Sequence, residues 1–187
     1  MRGTEVTHNM CPFQDECEPL EDDTKWFRRK IGPKVPRDRT AVLHRKGKGP
    51  FIIVAPHGGK IEPRTEQIAG LLSEELGCAC YCFCSGHLEK HRGGKGKKDR
   101  HHINSHHIEA PQLLVLLGER ETAVSVHGLG WQRNDTIEVG GLHSCLRDRL
   151  KSALNKNRFT AMDPRHKRRA AECEMNVVNR CKGAEGI

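Results

Sequence analysis

Residues 51 to 84 constrain the fold more tightly than any other stretch. The run "FIIVAP", residues 51 to 56, is apolar at successive positions, so the strand it forms needs cover on both faces, as at the centre of an α/β sheet. A helical pattern follows. Thr65 is placed to cap it, Ile68, Leu71, Leu72 and Leu76 recur on one face that the pattern turns inward, and Gly77 stands where a left-handed C-terminal residue is wanted. Next comes "CACYCFC", residues 78 to 84, a second strand. Joined through a helix, the two strands make a β-α-β unit, whose crossover predicts parallel pairing.

Within that second strand, Cys78, Cys80, Cys82 and Cys84 alternate with Ala79, Tyr81 and Phe83, so the four thiols share one face of the sheet. Spread in line along a strand, they are poorly arranged for one tetrahedral ion. They read as small buried hydrophobes.

The rest of the chain extends the α/β pattern. "TAVLH" from Thr40, "TAVSVHG" ending at His127 and "TIEVGG" read as strands, and "QLLVLLGE" reads as a short helix. "LHSCLRDRLKSALNKN" is an amphipathic helix with Leu142, Leu146, Leu150 and Leu154 inward, followed by a poorly patterned tail. Residues 1–39 are polar, with Pro33 and Pro36 interrupting any long element, and are expected to form a loosely packed arm before a domain spanning 40–187. A length of 187 residues fits one core.

The net charge of +8 favours a polyanionic partner, but Tyr81, Trp26 and Trp131 supply few stacking surfaces, which argues against single-stranded nucleic acid. No apolar run follows a basic start, and no stretch of membrane-spanning length occurs, so the expectation is a soluble chain without a secretion signal or membrane partner, cytoplasmic or released without a signal. Nine cysteines then read as reduced thiols. The pair Cys11 and Cys17 has no second close pair to complete a metal site.

Two histidines share one context. His57 in "IVAPHGG" and His127 in "VSVHGLG" each follow a strand and precede glycine, and ligand sites in open sheets gather at the carboxyl ends of strands. A catalytic zinc takes three protein ligands and keeps one position open, two histidines and a glutamate being an established set. Gly58 and Gly59 allow the sharp turn that brings Glu62 back toward His57. A bare strand-to-helix turn would use the same glycines. His101, His102, His106 and His107 form a second imidazole cluster, and "KHRGGKGKKDR" is a basic glycine-rich loop without the closing Lys-Ser/Thr of a P-loop.

Taken in order, "VAPHGGKIEPRTEQIA", "HHINSHHIEAP", "VSVHG", "EVGGL" and "MNVVNRCKGAEGI" resemble the motifs of the poly-γ-glutamate hydrolases, phage and bacterial proteins similar in fold to zinc carboxypeptidases. The resemblance covers residues 40–187. It implies an open, mixed, mostly parallel sheet flanked by helices, a zinc cofactor, and hydrolysis of the γ-amide bonds of poly-γ-glutamate. His57, Glu62 and His127 match the expected metal ligands. The polymer carries a free carboxylate on every unit, and Arg180, with Asn176 and Asn179, is the first choice to recognise it, ahead of Arg100 and Arg133.

The match has departures. Lys60 and Cys181 stand where the family usually has glycine, and "DRHHINS" replaces a segment that typically reads Arg-Asp-Leu-His-Ile-Thr-Ser. The family's general-base glutamate belongs to a Gln-Leu-Glu segment expected beyond Ile187, and Glu185 precedes that position, so the catalytic residue stays unassigned. The sequence is then either a fragment or a form that has lost the base and still binds acidic polymer; loss of a general base costs about 10²–10⁴ in rate. A third reading, a nucleic-acid-binding protein using "RKGKGP", "RGGKGKK" and "RHKRR", predicts steep salt dependence and indifference to chelators.

Overall fold

In the computed structural model of the chain, the residues described are 17–31, 40–85, 102–129, 136–167 and 170–187. Their centre is a five-stranded sheet of order β1-β2-β4-β3-β5, made of β1 (Glu18–Pro19), β2 (Thr40–Arg45), β3 (Phe51–Gly59), β4 (Ala79–Ser85) and β5 (Thr122–Ser125). β3 pairs in parallel with β4 and with β5, while β2 runs antiparallel to β4 and to β1. The expected mixed sheet and the parallel β-α-β unit are both present. Helix α2 (Thr65–Glu75) makes the crossover and Gly77 closes it at a φ of 59°.

The alternation along β4 sorts its side chains as expected. Tyr81, Phe83 and Ala79 join Val42, Ile52, Val54 and Ala123 in one buried cluster, and Cys78, Cys80, Cys82 and Cys84 join Ile53, Ala55 and Ala69 in another. The first face is covered by α3 (Pro111–Gly118), through Leu113 and Leu117, and by α1 (Glu21–Ile31), through Trp26 and Phe27. Phe27 stacks on Phe83 with ring centroids 3.9 Å apart.

Residues 1–39 were expected to form a loosely packed arm, but helix α1 within them, Glu21–Ile31, packs against the core. Its Asp23 carboxylate is fully buried, accepting hydrogen bonds from the Tyr81 hydroxyl at 2.8 Å and from the backbone N–H of Gln112 and Leu113 at 2.8 and 2.9 Å. It thereby satisfies donors at the start of α3 that the helix cannot satisfy internally.

Helix α2 corrects a second expectation. Its apolar stripe faces outward, with Ile68, Leu71, Leu72 and Leu76 exposed by 47, 56, 40 and 60 %. The face against the sheet is Thr65, Glu66, Ala69, Gly70 and Ser73, with Ala69 packed in the cluster of cysteines and the Glu66 carboxylate accepting from the Gly59 N–H at 2.9 Å. Nor does Thr65 cap the helix: it is the first helical residue, its hydroxyl donates to the Glu62 carbonyl at 2.8 Å, and Arg64 precedes it at a φ of 75°.

Helix α4 (Ser144–Lys156) has the predicted leucine spacing, but Leu146, Leu150 and Leu154 are only half-buried; it packs beside β7 (Thr160–Met162), which pairs with β6 (Thr136–Glu138) in a separate two-stranded sheet. The poorly patterned tail is more ordered than its sequence reads. Val177, Val178 and Cys181 are buried in the main core, and Ile187 exchanges backbone hydrogen bonds with Ala123 and Ser125 along β5.

Candidate metal centre

The site begins with a break in β3. Ala55 pairs with Cys82 but Gly58 pairs with Cys84, so an extra residue is accommodated at Pro56–His57. Proline has no N–H for a ladder, and a bulge is where a buried strand tolerates it. The bulge releases His57 from regular pairing. The chain then reverses: Gly59 has a φ of 75°, a Cβ there would stand 2.4 Å from the Ser85 carbonyl oxygen, and the Glu62 N–H donates to the His57 carbonyl at 2.8 Å. Glu62 is brought back beside His57 as the glycines predict.

Two features fix the imidazole of His57. The ring is 1 % exposed, and its Nε2 lies 2.7 Å from the carbonyl oxygen of Ile103, which has no hydrogen to offer. Nε2 must therefore carry the proton, leaving the Nδ1 lone pair free. Burial disfavours the charged ring and lowers its pKa, against an opposing pull from Glu62, so the contact with Glu62 joins a neutral imidazole to a carboxylate.

Burial works to raise the pKa of Glu62, but the rings of His102, His127 and His57 outweigh it and hold the carboxyl far below the usual range. The Gly128 N–H also donates to its Oε2 at 2.9 Å. Gly128 stands close enough that a Cβ there would lie 3.1 Å from the Glu62 Cβ.

Ligand-type atoms of three residues consequently converge. His57 Nδ1 is 3.2 Å from His127 Nδ1 and 3.2 Å from Glu62 Oε1, and His127 Nδ1 is 3.2 Å from Glu62 Oε2. Tetrahedral bonds of about 2.0–2.1 Å to nitrogen and oxygen place neighbouring ligand atoms about 3.3–3.4 Å apart. The donor set fits zinc in kind as well as in spacing. With its Nε2 committed to the Ile103 carbonyl, the Nδ1 of His57 is the ring nitrogen that points toward Glu62 and is placed to take a cation.

His102 was expected only within a histidine cluster, and the structure brings it to the same place. Its ring stacks on His57 with centroids 4.0 Å apart and its Nε2 lies 3.6 Å from Glu62 Oε1. His57, Glu62 and His102 offer ligand atoms that all lie within 4.8 Å of one another. Neither periodicity nor spacing distinguishes His102 from its neighbours; what selects it is the carbonyl of Ile103, the next residue, turned toward His57. His106 is held elsewhere, by Asn104.

The side chains of "NVVNR", expected to bind substrate, have backbone partners in the structure. The Asn176 side chain accepts from the Val178 N–H, Asn179 donates to the carbonyls of Ala171 and Cys173 and accepts from Gly186, and both side chains are buried. Arg180 donates to the carbonyls of Ile108, His106 and Met175 at 3.1, 3.1 and 2.8 Å. These groups are committed to backbone. Arg100, Arg133, His101, Cys11 and the basic loop at 90–100 lie outside the described residues. Glu185 sits 4.0 Å from His143.

Comparison with known proteins bears on this geometry. The family model described as Poly-gamma-glutamate hydrolase matches residues 35–187. The chain belongs to that family. It is 31 % identical over 152 residues to the UPF0714 protein YndL of Bacillus subtilis (strain 168), covering 79 % of this chain and 54 % of YndL. To the SPbeta prophage-derived UPF0714 protein YoqZ of the same organism it is 30 % identical over 130 residues, 69 % of this chain and 44 % of YoqZ. The chain thus spans about half the length of these curated relatives.

Among solved structures, a bacteriophage poly-gamma-glutamate hydrolase superposes with a TM-score of 0.70 at 27 % identity, covering 83 % of this chain and 70 % of the other. The zinc-free form of YndL superposes with a TM-score of 0.69 at 26 % identity, covering 82 % and 71 %. Among the described residues, no helix is long and apolar enough to cross a membrane.

Proposed function

We propose that the chain is a zinc-dependent hydrolase of the γ-glutamyl amide bonds of poly-γ-glutamate, with His57, Glu62 and His127 as the metal ligands. The observation that carries this reading is that His57 Nδ1 and His127 Nδ1 lie 3.2 Å apart and each lies 3.2 Å from one oxygen of the Glu62 carboxylate, His57 from Oε1 and His127 from Oε2. Membership of the hydrolase family supports the substrate class, and the existence of a zinc-free state of YndL supports the choice of metal.

When bound, zinc would supply Lewis-acid polarisation of the scissile carbonyl and a more acidic water. The protein's part is to arrange the donors. Ile103 holds the proton of His57 on Nε2 and turns Nδ1 inward, and the Gly128 N–H steadies the Glu62 carboxylate. Glu62 and His57 are largely withdrawn from water, while His127 is 36 % exposed by its side chain.

The test has two arms: metal content of the purified protein, and the viscosity of poly-γ-glutamate incubated with it. About one zinc per chain and a viscosity loss abolished by a chelator are expected. Zinc with polymer binding but unchanged viscosity would identify a non-catalytic binder of acidic polymer instead. Absence of zinc at any added concentration would overturn the metal assignment.

A further inference from the structure

We infer that Arg180 is a positioning residue for the metal centre, acting through the turn at Ser105–His107 rather than on a substrate carboxylate. The inference rests on the proposed metal site and deepens it. One guanidinium nitrogen donates to the carbonyl of Ile108, and another donates to the carbonyls of His106 and Met175. Two of these acceptors flank or belong to the short turn, and the third ties it to the segment that carries Arg180 itself. The planar fork is suited to clamping several carbonyls at once.

The residues just before the turn face His57. Asn104 caps the turn, accepting from the His106 N–H at 3.1 Å, and the preceding Ile103 presents its carbonyl to His57 Nε2 at 2.7 Å. His102, one residue earlier, stacks on the same ring. Five residues ahead of Ile108, a carbonyl thus decides which nitrogen of His57 is protonated. A loop free to shift would release that proton to either nitrogen, and the Nδ1 lone pair would no longer be reserved for a cation. Outer partners of a ligating histidine typically contribute 10–100-fold in metal affinity.

The primary readout is the ring ¹⁵N shift pattern of His57 in the metal-free protein, followed by zinc affinity from chelator competition and by KM and kcat on the polymer. Wild type is expected to show Nε2 protonated. Arg180→Ala should mix the two tautomers, weaken zinc about tenfold or more and lower kcat, with Arg180→Lys recovering part of each. Asn104→Ala loosens the same turn from its exposed side and should move the tautomer and zinc affinity in the same direction; it decides the matter if Arg180→Ala does not fold.

A raised KM with unchanged tautomer and zinc affinity would mean that Arg180 recognises substrate directly, overturning the inference. Lower thermal stability without a tautomer change would overturn it as well. A wild type that holds no zinc overturns the metal reading, and the ring shifts of the metal-free protein then decide the clamp alone.

Discussion

His57 Nδ1 and His127 Nδ1 lie 3.2 Å apart although 70 residues separate them in the chain. They meet because β3 and β5 are parallel neighbours, with Val54 opposite Ser125, so that both strands deliver their following residues to the same end of the sheet. Two imidazole nitrogens and a carboxylate at this spacing form the proposed donor set. Single substitutions His57→Ala, Glu62→Ala and His127→Ala should each weaken zinc by more than about 100-fold, since loss of an outer partner alone costs about 10–100-fold. Chelator competition measures this directly, and wild-type affinity in any of the three would remove that residue from the ligand set.

His102 should behave differently. Its side chain is 45 % exposed, and its Nε2 stands 3.6 Å from Glu62 Oε1, farther than the 3.2 Å that separates the other three. His102→Ala is therefore expected to weaken zinc by about 10-fold, as a supporting partner does, and to leave the stoichiometry unchanged. A loss as large as that of His127→Ala would make it a ligand in its own right.

The buried carboxylate of Asp23 joins three parts of the fold: α1, β4 through Tyr81, and the first turn of α3. Asp23→Ala strands a buried hydroxyl and two backbone N–H groups, each costing about 1–3 kcal/mol when left without a partner. A loss of about 3 kcal/mol or more in urea unfolding is expected. Wild-type stability would show that the hydrogen bonds of the Asp23 carboxylate contribute little to the fold.

Much of this architecture is legible in the sequence where one residue type forces one outcome. The apolar run at 51–56, the cysteine alternation at 78–84 and the glycine pair after His57 each permit few arrangements, and strands, crossover and folded-back Glu62 follow. Long-range polar partners are not legible. Nothing near Asp23 announces that its partners are Tyr81 and Leu113, and nothing in "NVVNR" distinguishes an arginine that binds carbonyls from one that binds a carboxylate. Helix α2 shows a different limit: its periodicity marks an apolar face correctly, but the face it turns to the cysteines is the one that carries Ala69, Gly70 and Ser73.

Tyr81 is the chain's only tyrosine, so its ionisation can be followed alone. Burial first, and then the neighbouring Asp23 carboxylate, push its pKa well above the usual value. For such a group the unfolded chain releases its proton near ~10 while the folded one retains it. Stability from Tyr81 is thus complete below that pH and is lost as pH rises toward the folded value. Tyrosinate absorbance should stay flat through pH 10 and then rise together with loss of secondary structure. A simple titration centred near 10 in a protein that stays folded would show that the hydroxyl is accessible.

The outward stripe of α2 makes the last prediction opposite to the one its sequence pattern implies. If Leu71 and Leu76 belonged to the core, replacing either by lysine would bury a charge and unfold a marginal domain. In the structure the two are 56 and 60 % exposed, and α2 is held by Ala69 against the cysteine face. Leu71→Lys and Leu76→Lys should therefore change unfolding free energy by only about 0.5 kcal/mol, as surface substitutions do. Ala69→Leu should instead cost about 1–3 kcal/mol by overpacking against Cys80 and Cys82. Denaturant unfolding of the three variants side by side tests the orientation, and the reverse ranking would place the leucine stripe against the sheet.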